Sequence, residues 1–174
     1  MIHKVFLFLL ALHLQLFGAH YNTTIIELEA KLFPKMLVLS TDQSINASKI
    51  ELVILAKEED EHYSEFFVEK IKESYAQKIM NKELLVSTTT FEKLQGEPDG
   101  IIVLYHSDRE LKHIAKWANE RKIPTFAYDP AHLAFGIFAS LYIGAQTKPY
   151  LNKEIIKKYC FKINPHLIML SKFY

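Results

Sequence analysis

Two stretches, IELVILA (50–56) and GIIVLYH (100–106), are short runs of mainly apolar, mostly branched residues, and each leads into a charged segment with helical periodicity. A run of this length with little polar alternation reads as a strand buried on both faces. A strand of that kind needs parallel neighbours and crossover helices to cover it. After the first run, KEEDEH places acids at the positive N-terminal end of a helix whose stripe is Phe67, Ile71, Tyr75 and Ile79. After the second, Ser107 and Glu110 form a capping box, and Leu111, Ile114, Ala115 and Ala118 define the buried face of the helix. LLVS (84–87) and TFAYD (125–129) continue the alternation. The expected fold is a single layered α/β domain, with a mostly parallel central sheet and helices on both faces.

Other segments fit around that frame. Asn22 or Thr23 caps a first helix with Ile25, Leu28 and Leu32 on one face, and Pro34 disturbs its end. Asp42 to Ser48 is a polar loop. Thr89 and Glu92 make a second capping box over a single turn, and Glu97-Pro98-Asp99-Gly100 is a turn. The apolar segment FGIFASLYIGA runs into Gln146-Thr147-Lys148, a hairpin connection. The last part, PYLN–KEIIKKY–CFKI–NPHLIMLS, reads as strand, helix, strand, helix. Asn152 and Asn164 cap the two helices, and Pro165 occupies the first helical position, where its missing N–H costs nothing. The single cysteine, Cys160, falls in the CFKI strand as a core residue, and alone it forms no intramolecular disulfide.

Residues 1–19 have a different character. Lys4 precedes an apolar run from Val5 to Phe17, and Gly18-Ala19 supplies small residues for cleavage. That is the layout of a secretory signal peptide, too short to span a bilayer. The expected mature domain is 20–174, exported to the periplasm, with no later membrane span. Loss of Lys4 leaves twenty basic and twenty acidic residues, a balance that argues against nucleic-acid binding.

No dinucleotide, phosphate-loop, zinc-protease or serine-hydrolase motif is present. The polar residues beyond the carboxyl ends of the predicted core strands are the candidates, because ligands of open α/β sheets collect there. They are His106 and Asp108 after one strand, and Tyr128, Asp129 and His132 after the next. Two imidazoles and a carboxylate can hold zinc. The same positions have a simpler structural reading, with Ser107 a cap and Asp129-Pro130 a turn. These five residues are therefore taken as ligand or partner contacts, with no metal, cofactor or catalytic group assigned. Trp117, on the helix side away from the buried face, is a sixth candidate contact.

The C-terminal order of PYLN, KEIIKKY, CFKI and NPHLIMLS resembles that of the YfiR/HmsC-like family of periplasmic proteins. DGIIVLYHSDRELKHIAKWANERKIPTFAYD is similar to the strand, helix and strand that precede it there. The resemblance implies a regulator that binds the periplasmic domain of a membrane-bound diguanylate cyclase or sensor kinase, restraining cyclic-di-GMP signalling and biofilm formation. It also implies an exposed apolar patch and a homodimer. The better-known family members carry cysteine pairs, and this chain cannot form one. The alternative expectation is a small-solute binding module resembling one lobe of a periplasmic receptor, which needs a cleft with converging polar groups.

Overall fold

The computed structural model describes residues 21–40 and 48–174. The predicted signal peptide and most of the polar loop at 42–48 lie outside the described residues. Helix α1 (Thr23–Ser40) precedes β1 (Lys49–Leu55), α2 (Glu61–Tyr75), β2 (Lys78–Ile79), β3 (Lys82–Thr89), β4 (Gly100–Val103), α3 (Asp108–Glu120) and β5 (Thr125–Ala127). A 3-10 segment (Pro130–Phe135) leads to β6 (Ala139–Tyr142) and β7 (Lys148–Leu151), followed by α4 (Lys153–Tyr159), α5 (Pro165–Leu170) and β8 (Lys172–Phe173).

All eight strands form one sheet in the order β2-β3-β1-β4-β5-β6-β7-β8. Only β2/β3 and β6/β7 pair antiparallel; the other pairings are parallel. The domain is thus a mixed α/β domain with a mostly parallel sheet, as the alternation of buried runs and helices demands. Successive residues of β1 and β4 point to opposite faces. Leu52, Ile54, Ile102 and Leu104 join α1, α2, Phe126 and Phe138 in one core. Val53, Leu55, Ile101 and Val103 join the Leu111–Ala118 face of α3 in the other. The β5–β6 pairing has a single register pair, Phe126↔Ala139. Side chains reinforce it: Phe138 N–H donates to Thr125 Oγ1 (3.0 Å) and Ser140 Oγ donates to the Ala127 carbonyl (2.7 Å).

Several local expectations are corrected. Helix α1 runs through Pro34, and its buried stripe is Ile26, Ala30, Phe33 and Leu37, not Ile25, Leu28 and Leu32. Burial of that stripe on the sheet outweighs the hydrogen bond the proline cannot donate. Ile79 does not continue the stripe of α2. The helix ends at Tyr75, and Ile79 belongs to β2, joined to β3 across Met80 and Asn81 at positive φ, as a two-residue hairpin requires. Neither expected capping box has its side-chain bond: Ser107 makes none at the start of α3, and Thr90, not Thr89, starts the short turn Phe91–Lys93. CFKI is not a strand. Cys160 is exposed, at φ 53°, and terminates α4 in the left-handed conformation, while Phe161 is the residue that packs inward. The ending is therefore strand, helix, helix, strand, with β8 laid parallel on β7. Both asparagine caps form as expected, Asn152 accepting from Ile155 N–H (3.2 Å) and Asn164 from His166 N–H (2.9 Å).

Candidate functional site

From β1 the chain reaches β3 on one side of the sheet, and then β4 on the other. The carboxyl ends of β1 and β4 therefore flank a topological switch point, the place where open α/β sheets leave a crevice. Lys57, just past β1, spans it to Glu110 near the start of α3 at 2.9 Å, and its ammonium lies 5.7 Å from the centre of the Tyr105 ring. The hydrogen bond with Glu110 raises the Lys57 pKa.

Beside this bridge, over the end of β4, sits the ring of Tyr21. It lies 4.7 Å from Tyr63, 4.8 Å from Tyr128 in an edge-on arrangement, and 5.3 Å from His106, measured between ring centres. Its hydroxyl donates to the Leu104 carbonyl (2.7 Å) and lies 2.6 Å from His106 Nε2. A carbonyl only accepts, so the one phenolic proton belongs to Leu104, and His106 must donate from Nε2. Tyr128 completes the enclosure by accepting from Asn22 N–H (2.8 Å). Burial, then the nearby Asp60, raises the Tyr21 pKa; burial likewise raises Tyr128. A phenol is thus held here by aromatic walls, a backbone acceptor and an imidazole.

Two acids border the cluster. Glu29, on the buried stripe of α1, is fully buried and neither carboxylate oxygen has a partner. Burial raises its pKa well above the usual carboxylate range, so its neutral form is the favoured one. Asp60 is also raised by burial, with His106 acting in the opposite direction.

The sequence candidates are partly brought together. His106 and His132 have ring centres 6.1 Å apart, and Tyr128 shares the Tyr21 cluster with His106. His132 is buried with Nδ1 unpartnered, and burial lowers its pKa against the pull of Asp129. Asp129 itself is a cap, its Oδ1 accepting from Ala131 N–H (2.8 Å), and Asp108 is exposed at the start of α3. Among the described residues, no three of the His, Cys, Asp and Glu side chains are placed to hold a metal ion. Trp117 stands apart: half-buried on α3, it meets Phe91 edge-on at 5.7 Å, with the Arg121 guanidinium 4.6 Å from its ring. A second, polar cleft of about 340 Å³ opens at the ends of β1 and β3, lined among others by Lys57, Ser64, Thr88 and Lys93. There Thr88 Oγ1 donates to Ser64 Oγ at 2.8 Å.

Sequence reasoning missed Tyr21, Tyr63, Asp60 and Glu29. For Glu29 a signal existed: it falls on the Ile26–Ala30–Phe33–Leu37 stripe, where a carboxylate among apolar residues stands out. Tyr21 lies between the predicted signal and the first helix, and nothing local marks it.

No protein-family model and no curated protein matches the chain. Solved structures do. A conserved domain protein from Vibrio cholerae O1 biovar eltor superposes with TM-score 0.55 and 14% identity, over 85% of this chain and 59% of that one. An ABC domain in complex with L-Trp from Streptococcus pneumonia gives TM-score 0.51 and 14% identity, over 80% and 60%. A substrate binding protein with adhesive properties from Clostridium difficile, in its ligand-free, open structure, gives 0.56 and 14%, over 82% and 58%. The chain thus spans about three-fifths of the length of each. At this identity the likeness is one of fold.

Proposed function

We propose that this chain is an exported binding domain that takes a small aromatic solute into the crevice now filled by its own Tyr21. The observation that carries this reading is the recognition of that phenol at the switch point, by Tyr63, His106, Tyr128 and the Leu104 carbonyl. An incoming phenol or indole with one donor can meet the same walls and the same acceptor. The fold neighbours give support: one is a substrate binding protein and another is in complex with L-Trp. Export rests on the signal-like 1–19 segment. Cleavage after Ala19 would leave Tyr21 as the second residue of the mature chain, close enough to the end to swing aside.

The test is calorimetry and thermal unfolding of the exported chain and its Tyr21→Ala variant, with L-tryptophan, L-tyrosine and 4-methylphenol. The variant is expected to bind one equivalent of at least one of them. Its melting temperature should rise in step with a stabilisation of about 2.7 kcal/mol at a hundredfold excess over Kd. Adding Tyr128→Ala should abolish the effect. An unchanged melting temperature in both proteins with all three compounds would refute the reading.

A second reading is a regulator of a membrane-bound diguanylate cyclase or sensor kinase, of the YfiR/HmsC-like kind. The self-filled crevice favours it, because a domain that occupies its own site has two states to switch between. Cyclic-di-GMP levels in a deletion strain test it; an unchanged level would remove the cyclase version.

A further inference from the structure

Charge is distributed unevenly along this chain. Residues 148–174 contain six lysines and one acid, Glu154, whereas 21–147 contain fourteen basic and nineteen acidic residues. The basic stretch comprises β7, α4, α5 and β8, and it is gathered in space because β8 pairs with β7 through Tyr150↔Lys172 and Leu151↔Phe173. It forms the β8 end of the sheet.

The same end carries most of the large apolar side chains exposed among the described residues. Nine large hydrophobic side chains are exposed among the described residues, and seven of them lie between Tyr142 and Tyr174. Helix α5 buries Leu167 and leaves Ile168, Met169 and Leu170 in water, Met169 and Leu170 at 73% and 61% exposure. Phe173 and Tyr174 continue the edge. Lys172 lies 3.6 Å from the centre of the Tyr142 ring, and the Tyr142, Tyr150 and Tyr174 rings follow one another at 5.9 Å. Lysines placed over tyrosines beside bare aliphatic side chains match the depth profile of a bilayer surface. Ammonium groups sit at the phosphates, aromatic rings at headgroup level, and aliphatic tips below.

We propose that the β8 end of the domain docks on a bilayer containing anionic phospholipid. An acidic protein face would complement the lysines but leaves Met169 and Leu170 unaccounted for; an anionic bilayer complements both. The proposed contact is made by this edge alone; no helix among the described residues is long and apolar enough to cross a membrane. It is independent of the crevice and holds whichever solute the crevice takes.

The test is co-sedimentation of the exported chain, residues 20–174, with vesicles of phosphatidylethanolamine and phosphatidylglycerol, against vesicles of phosphatidylcholine alone. The anionic vesicles should bind at least about tenfold more tightly, and raised salt should weaken that binding. Lys157→Glu/Lys158→Glu and Met169→Ser/Leu170→Ser should each lower it by about tenfold. Both pairs are exposed, so melting temperatures should stay within a few degrees and separate loss of docking from loss of fold. Equal binding to both vesicle types, or no binding to either, overturns the proposal. So does an unchanged affinity of the Met169→Ser/Leu170→Ser variant, and so does capture of an acidic protein or a second copy through this edge without vesicle binding.

Discussion

At the scale of single residues, Asn152 and Glu29 show how little a side chain's local role tells of its full one. Asn152 was legible as a helix cap, but it is buried and does more. Its Nδ2 donates to the Leu133 (2.9 Å) and Ile137 (3.2 Å) carbonyls, tying the start of α4 to the segment before β6. Asn152→Ala should therefore cost about 2–3 kcal/mol in a urea titration, a cap plus two carbonyl contacts, although the Leu133 carbonyl keeps the Gly136 N–H (3.1 Å). Asn164→Ala removes a more exposed cap and should cost about 1 kcal/mol or less. Equal costs would mean the carbonyl contacts contribute nothing. The partners of Nδ2 are distant in sequence, so no local pattern announces them. Glu29 carries the opposite lesson. Its raised pKa contributes stability that is fully present below the unfolded carboxyl value and is lost as pH rises through the folded value. Glu29→Gln should thus melt at nearly the wild-type temperature at about pH 4.5 and several degrees higher at pH 8. A constant difference across that range would show that the carboxyl does not titrate with folding.

Among the elements, those buried on both faces were readable and those at the margins were not. β1, β4 and β5 lie where short, mainly apolar runs put them, because a strand covered on both faces is what such a run suits. β2 and β8 are two residues each, too short for any period, and exist only because a neighbouring strand supplies partners. CFKI has the composition of a strand, yet Cys160 is needed as a left-handed stop for α4, and residues 161–164 belong to no strand. The first residue of β4 hides a further constraint. A Cβ on Gly100 would meet Leu37 Cδ1 at 2.6 Å, so this glycine sets how closely α1 can lie on the sheet. Leu37 is itself buried, so Gly100→Ala should destabilise by about 1–3 kcal/mol, and Leu37→Ala in the same chain should recover part of that loss, so the two costs are not additive. Strict additivity in a double-mutant cycle would place the glycine's role elsewhere.

Across the whole molecule, the strand order gave the candidate site its place, and the α1 end of the chain gave it its content. The positions beyond the carboxyl ends were legible because an α/β topology fixes where they gather, and His106, Tyr128 and His132 are near one another for that reason. Tyr21 was not, since it reaches the crevice from outside the alternating pattern. Its arrival makes the crevice rich in phenols withdrawn from water. Burial raises the pKa of Tyr21, Tyr105 and Tyr128, and raises Tyr75, on α2, to about 12. For each, the stabilising contribution is complete below the unfolded tyrosine value, about 10, and is lost as pH climbs toward the folded one. Alkaline unfolding should follow, because the unfolded chain releases these protons sooner. In a titration followed by phenolate absorbance, some of the nine tyrosines should ionise reversibly, and a second group only together with loss of near-ultraviolet dichroism. Tyr21→Phe should shrink that second group by one. Smooth ionisation of all nine with the dichroism intact would mean that the crevice is open to solvent and that Tyr21 does not fill it.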